Sequence, residues 1–188
     1  MAKQQNIQLF RGEDKTFRFS IIDTTIQTKI RDGGDGIDEV QTTISVVSTG
    51  GFLASSTAKV GDEIFTYSGL TATSFTGVVR GAAQAFGAVL GAIPHPEGTV
   101  VSAVPDVLNW TTELDMRESR GAAATILGDK AGSEVAPSTN GLIDVAFANE
   151  DTATLAPDTY VYGFTRTDVG SNRVLAYGPF TLTQEVRR

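Results

Sequence analysis

Apolar residues recur at every second position along several short stretches of the chain. Tyr160, Tyr162 and Phe164 follow this spacing, as do Phe17 and Phe19. A period of two places such side chains on one face of a β-strand. Stretches of this kind, separated by turns rich in Gly, Asp and Ser, predict short strands within residues 7–22, 44–47, 58–60, 63–67, 74–80, 98–103, 108–117, 124–127, 141–147, 159–166 and 173–183.

Two breaks in the pattern divide the chain. Residues 31–43 are rich in Gly and Asp and are typical of a linker, and Pro105-Asp106 marks a second boundary. The few strands of residues 1–30 cannot bury a face alone, so we expect them to pair with residues 105–188. The prediction is a discontinuous β-sandwich of residues 1–30 and 105–188, interrupted by a small β module over residues 44–104.

Composition favours the same fold class. The 188 residues include 24 Thr, 20 Gly and 10 Phe, which are residues of strands and turns. There is no Cys, which excludes disulfides and thiolate metal sites. The net charge of −7 disfavours nucleic acid and anionic membranes as partners. No apolar run reaches membrane-spanning length, and the first twelve residues lack the apolar core of a signal peptide, so we expect assembly in the cytoplasm.

Few residues offer catalytic chemistry. The single His, His95, lies between two prolines, and we predict a turn residue bonded to nearby backbone rather than a general base. Two pairs of carboxylates, Asp62 with Glu63 and Glu113 with Asp115, are compatible with glycan hydrolysis, but nothing near them indicates a sugar groove. We predict that both pairs are solvated and that the protein is not an enzyme.

An acidic loop is the one candidate for a metal site. Asp32, Asp35, Asp38 and Glu39 offer oxygen ligands of the kind that Ca²⁺ prefers. Their spacing does not match a calcium-binding loop. We therefore predict a flexible linker with neither metal nor cofactor.

Aromatic side chains offer a stacking surface for sugars or bases. Trp110 and the alternating set Tyr160, Tyr162 and Phe164 are the candidates. Their period of two favours the sandwich core instead.

One apolar segment is unusual for a protein surface. Residues 82–93 consist largely of Ala, Gly and larger apolar side chains, and contiguous apolar surface often marks a partner site. We predict a protein interface formed by Ala85, Phe86, Val89, Leu90 and Ile93. The alternative is that the segment folds back over the open end of the small module.

Several motifs resemble a known family. They include Arg11-Gly-Glu-Asp14 before Phe17-Arg-Phe-Ser-Ile21, then Leu108-Asn-Trp-Thr-Thr-Glu-Leu-Asp-Met-Arg117, then Thr152-x-x-Leu-x-Pro-x-x-Tyr160, and finally Tyr177-Gly-Pro-Phe-Thr-Leu182. This order resembles the immunoglobulin-like β-sandwich modules of tailed-bacteriophage virions, such as the N-terminal domain of siphophage baseplate upper proteins. The resemblance covers residues 7–28 and 105–186.

The inserted module has a resemblance of its own. Gly61-Asp-Glu-Ile-Phe-Thr-Tyr67, Thr73-Ser-Phe-Thr-Gly-Val-Val-Arg-Gly81 and His95-x-x-Gly98-x-Val100 occur in order, after Gly51-Phe52. They resemble a small β module that recurs in phage structural proteins. Residues 85–94 depart from that module by being longer and more apolar.

Both resemblances imply a structural subunit of the virion. We expect it to bind neighbouring tail, baseplate or capsid subunits in a symmetric assembly of many copies. The first placement is a tail or baseplate adaptor, and the alternative is a decoration or cement protein on the capsid exterior. A third hypothesis, a module that binds host glycans, predicts exposed aromatic residues on loops.

Overall fold

The protein is all-β, as the sequence predicts. A computed structural model describes residues 3–4, 6–31, 33–84, 92–119, 121–122 and 125–184. The first nine strands are β1 (Lys3–Gln4), β2 (Ile7–Phe10), β3 (Lys15–Ser20), β4 (Asp23–Lys29), β5 (Thr43–Ser45), β6 (Ser56–Val60), β7 (Glu63–Tyr67), β8 (Gly69–Thr71) and β9 (Ser74–Thr76). The others are β10 (Val79–Gln84), β11 (Val100–Ala103), β12 (Thr112–Arg117), β13 (Leu127–Glu134), β14 (Leu142–Phe147), β15 (Asp158–Arg166) and β16 (Arg173–Thr183).

Helices are short in the described part of the chain. A 3₁₀ turn spans Ser138–Asn140, and one α-helical turn, α1, spans Asn149–Thr152. In these ranges no helix has the length and apolar character that crossing a membrane requires.

The chain forms two compact units. The first contains residues 1–18, 109–134 and 143–188, and the second contains residues 19–108 and 135–142. This division differs from the predicted one, in which residues 1–30 and 105–188 form the sandwich, because residues 19–30, 105–108 and 135–142 belong to the second unit. The physical reason is that β4 pairs antiparallel with β11, so the chain enters the second unit earlier than its composition indicates.

The first unit is a β-sandwich. Its strands form one continuous hydrogen-bonded series, here called the strand path, which folds back on itself. Its strands follow the order β1-β16-β15-β12-β13-β14-β3, with β2 also paired to β16. Phe180 of β16 contacts Phe147 of β14 and Phe17 of β3, although these strands are far apart in that order. The rings therefore fill the space between the two halves of the path.

The fold-back occurs within β13. Residues up to Ala131 pair with β12, and residues from Gly132 onward pair with β14. A Cβ at Gly132 would lie 2.2 Å from the Thr112 hydroxyl and 2.7 Å from Ile143. Only glycine leaves room for the close approach of the strands at this crossing.

The alternation of buried and less buried residues along the strands determines which side chains form the core of this unit. Leu114 and Met116 on β12 are fully buried, and Tyr162 and Phe164 on β15 are buried beside them. Trp110 differs from the prediction, because it precedes β12 and is only half-buried. The Arg166 guanidinium lies 3.9 Å from the centre of its ring.

The second unit combines two small sheets. One has the order β10-β7-β6-β11-β4, and the other has the order β5-β9-β8. Phe75 contacts Phe65, Tyr67 and Phe52, with ring centres 5.5, 4.8 and 5.0 Å apart. The predicted hairpin around Gly61 is present as β6 and β7.

Candidate functional site: a buried ionic cluster

A buried carboxylate occupies the start of β7 in the second unit. Glu63 follows the hairpin turn directly, and only 1% of the residue is exposed. The side chain of its neighbour Asp62 is 90% exposed and lies 3.8 Å from the Lys59 ammonium. Since Ile64 and Phe65 are also fully buried, β7 carries Glu63 into the interior with them.

Arg80 of β10 neutralises this carboxylate. Its Nε lies 2.5 Å from Oε1 of Glu63, and its Nη2 lies 2.7 Å from Oε2. The Arg80 side chain is 4% exposed. Two parallel hydrogen bonds between a guanidinium and a carboxylate pair the opposite charges and also fix the relative orientation of the two groups.

His95 makes a third side-chain contact with the carboxylate. Its Nε2 lies 3.0 Å from Oε2 of Glu63, and the imidazole is buried. The other side of the ring packs on the hairpin turn, where a Cβ at Gly61 would lie 3.1 Å from Cε1 of His95. The single imidazole of the chain is therefore enclosed between the turn and Glu63.

Two backbone N–H groups complete the cluster. Gly81 donates to Oε1 of Glu63 at 3.0 Å, and Ile93 donates to Oε2 at 3.3 Å. The Ile93 carbonyl also accepts a bond from Nη2 of Arg80 at 2.6 Å. One carboxylate thus fixes the chain at Gly81 and at Ile93, on either side of residues 82–92.

The predicted linker packs against the same cluster. Ile37 is buried and exchanges two backbone bonds with His95, of 2.8 and 2.9 Å, while Arg80 donates to the Asp38 carbonyl. Gly36 has a φ of +77°, and a Cβ there would lie 2.1 Å from the His95 carbonyl oxygen. Residues 36–38 are thereby part of the folded unit rather than a free linker.

The electrostatics keep Glu63 ionised. Burial raises its pKa, but the hydrogen bonds from Arg80, His95 and Ile93, together with the Arg80 charge, outweigh burial and hold the pKa below its ordinary value. A carboxylate that makes five hydrogen bonds, two at Oε1 and three at Oε2, has no lone pair directed at a substrate. The adjacent guanidinium also repels a cation, so the arrangement is suited to holding chain segments in place rather than to proton transfer or metal binding.

The prediction for Glu63 was wrong, since we expected a solvated carboxylate. The prediction for His95 was wrong as well, since its backbone bonds go to Ile37, 58 positions away, and not to nearby backbone, and its side chain reaches Glu63 from 32 positions away. Both errors have one cause: the burial of a charged group depends on partners that lie far away in the sequence.

Most of the predicted interface lies outside the described residues. This applies to Ala85, Phe86, Val89 and Leu90. Ile93 is described, is half-buried and uses both of its backbone groups in the ionic cluster. The interface remains a prediction.

The other acidic candidates do not converge. Asp38 caps its own loop, accepting bonds from the N–H groups of Val40 and Gln41. Asp32 lies outside the described residues, and the described part of the chain holds no group of three or more His, Asp or Glu able to bind a metal ion. Glu113 and Asp115 are half-buried on β12, on the face opposite Leu114.

Sequence reasoning missed Arg80 altogether. The available signal was a lone cation at the end of Gly77-Val-Val-Arg80 and a lone anion beginning the apolar run Glu63-Ile-Phe65. Opposite charges embedded in two apolar strands of one small module are candidates for a buried pair.

Comparison of the chain with protein-family models, with curated proteins and with solved structures gave no match.

Proposed function

We propose that the chain is a non-enzymatic structural subunit of a tailed-bacteriophage particle. In this proposal it is a tail or baseplate adaptor that binds neighbouring virion subunits through the apolar segment 82–93. The fixed ends of this segment are the observation that carries the proposal.

A buried ion pair contributes little to net stability, because desolvation of both charges offsets their attraction. Its effect here is geometric, since the carboxylate of Glu63 holds Gly81 and Ile93 together. The segment between them is rich in Ala and Gly with a few large apolar side chains. A segment whose ends are fixed loses less conformational entropy when it docks, which favours binding to a partner.

The strand order of the first unit supports an immunoglobulin-like module. In such modules the strands form two packed antiparallel sheets. Here β12, β15 and β16 form one layer, β14 and β3 form the other, and β13 crosses between them. Six of the eight strands of the unit have a place in that arrangement, and the remaining two, β1 and β2, pair parallel with β16.

A tyrosine contact supports the same assignment. Tyr160 lies near the start of β15, and its hydroxyl donates a 2.7 Å bond to the carbonyl of Ala156, four residues upstream. Immunoglobulin-like sandwiches commonly carry a tyrosine with this backbone bond at the corner before the sixth strand. The contact lies within Thr152-x-x-Leu-x-Pro-x-x-Tyr160, the most specific motif of the family resemblance.

The experiment is mass spectrometry of finished particles from cells infected with the phage that encodes this chain. Heads and tails are separated before digestion, and the copy number of the chain is measured in each. We expect the chain in the tail fraction, with a copy number that is a multiple of the rotational symmetry of the tail. Recovery in the heads supports capsid decoration instead, and absence from both fractions contradicts a structural role.

A further inference from the structure

A cleft opens on the outer face of the first unit, away from the sandwich core. Its volume is about 640 Å³, within the range of small-molecule sites. The lining combines aliphatic, aromatic and a few polar groups, among them Asp115, Arg117, Val161, Gly163, Tyr177 and Pro179.

The register of three strands explains how the cleft forms. Asp115 of β12 lies opposite Gly163 of β15, which lies opposite Tyr177 of β16. Directly opposed residues point to the same side of a sheet. A Cβ at Gly163 would meet nothing within 4 Å, so the missing side chain leaves a slot with Asp115 as one wall and Tyr177 as the other.

The next set of opposed residues on the same face of the sheet adds a positive charge, opposite to that of Asp115, and an apolar surface. Arg117 lies opposite Val161, which lies opposite Pro179. Arg117 donates one 3.2 Å bond to the Ala122 carbonyl, and one oxygen of Asp115 accepts a long 3.4 Å bond from the backbone N–H of Asp129. The second oxygen of Asp115 has no partner among the described residues. Both charged groups are therefore available to a ligand.

The lining selects a neutral ligand with hydroxyl groups. An anion would be repelled by Asp115, and a cation would be repelled by Arg117. The floor lies at the centre of a sheet whose strands are already paired, so an extended peptide finds no free edge there. A pyranose ring offers an apolar C–H face for Tyr177, and its hydroxyls both donate to the carboxylate and accept from the guanidinium.

We propose that this cleft binds one neutral hexopyranose unit of a carbohydrate. The proposal is independent of the docking role of residues 82–93, since it concerns different residues and a different unit. It also differs from the predicted glycan-binding module, in which the aromatic residues lie on loops. Here the aromatic wall is a strand residue, and a glycine opposite it provides the space.

The test begins with saturation-transfer NMR on the full chain. The probes are glucose, galactose, mannose and N-acetylglucosamine as free sugars, and a printed glycan array provides the same units within polymers. We expect saturation of the ring protons of at least one sugar, or array binding to glycans that contain it. Binding to the free sugar indicates a site for a single unit, and binding on the array alone indicates a site that needs the adjoining units.

Two pairs of variants locate the binding. Gly163→Leu fills the slot and is expected to abolish binding, whereas Thr159→Leu adds the same side chain to an exposed position on the same strand and the same face, outside the cleft. Asp115→Asn is expected to weaken binding about tenfold, because it removes a charged hydrogen-bond acceptor. Its control, Glu113→Gln, changes a carboxylate on the same strand that does not line the cleft.

Three results overturn the proposal. They are the absence of binding to every sugar and glycan tested, equal binding by Gly163→Leu and Thr159→Leu, and equal binding by Asp115→Asn and the unaltered chain. Trp110 fluorescence checks that each variant is folded. If Gly163→Leu does not fold, Asp115→Asn decides alone.

Discussion

Arg80 and Glu63 form a two-bond ion pair in which both side chains are almost fully buried, at 4% and 1% exposure. The guanidinium and the carboxylate have both lost their water. Removal of one partner leaves an uncompensated charge in the interior, and this costs far more than the intact pair contributes. The pair therefore makes the second unit sensitive to any change in either residue.

Glu63→Gln is expected to destabilise the second unit by about 3–5 kcal/mol, because it leaves Arg80 buried without its counter-charge. Hydrogen exchange of peptides from β7 and β10, followed as urea is raised, measures the effect. Asp62→Asn is the matched control, since it removes one negative charge at the adjacent, exposed position; a change of at most about 0.5 kcal/mol is expected there. Equal effects of the two substitutions would contradict the burial of Glu63.

Acid is expected to weaken the same unit. The folded-state pKa of Glu63 is lowered from its ordinary value of 4.5. A lowered pKa means that the stabilisation is present above pH 4.5 and is lost as the pH falls toward the folded-state pKa. Urea midpoints of the second unit, measured from pH 7 downward, should fall in this acidic range. The decline should be shallower in Glu63→Gln, and an unchanged slope in that variant would assign the acid sensitivity to other groups.

Gly36 is expected to tolerate no side chain. Gly36→Ala combines a positive φ with a Cβ 2.1 Å from the His95 carbonyl oxygen. Gly33→Ala is the matched control, because Gly33 has a φ of +73° and nothing within 4 Å of its Cβ. The control should cost only the backbone strain of about 1–2 kcal/mol. A larger loss in Gly36→Ala, measured by chemical denaturation, isolates the contact with His95; equal losses would disprove that contact.

The fold class and much of the core were predictable from local pattern. The alternation at Tyr160, Tyr162 and Phe164 places them inside, and all three are buried. The turn at Gly61 likewise predicts the β6–β7 hairpin. These features depend on residues close together in the sequence, so a period and a turn signal suffice to find them.

Other features depend on pairing that local pattern does not contain. β13 has the sequence Leu-Gly-Asp-Lys-Ala-Gly-Ser-Glu, which has low strand propensity, and it is extended because β12 and β14 lie on either side. Glu63 is buried because Arg80 and His95 arrive from 17 and 32 positions away. The cleft opposite Gly163 depends on the register of three strands. In each case tertiary contacts override local propensity.

The hydroxyl of Tyr160 is expected to stabilise the first unit. Tyr160→Phe removes the 2.7 Å bond to Ala156 while keeping the buried ring, and this should cost about 1 kcal/mol. Trp110, the single Trp of the chain, lies in the same unit and reports its unfolding in urea. A midpoint equal to that of the unaltered chain would show that the corner is held without this bond.

Polar substitutions in the apolar segment should separate docking from folding. Phe86→Ser, Val89→Ser and Leu90→Ser are combined in one variant, which leaves Gly81, Ile93 and their bonds to Glu63 in place. Since the ionic cluster fixes both ends of the segment, we expect the urea midpoint to be unchanged and incorporation into particles to be lost. The control is Val169→Ser, a fully exposed apolar residue of the other unit, which should be incorporated normally. A large drop in the midpoint would instead support the alternative, in which the segment folds back and covers its own module.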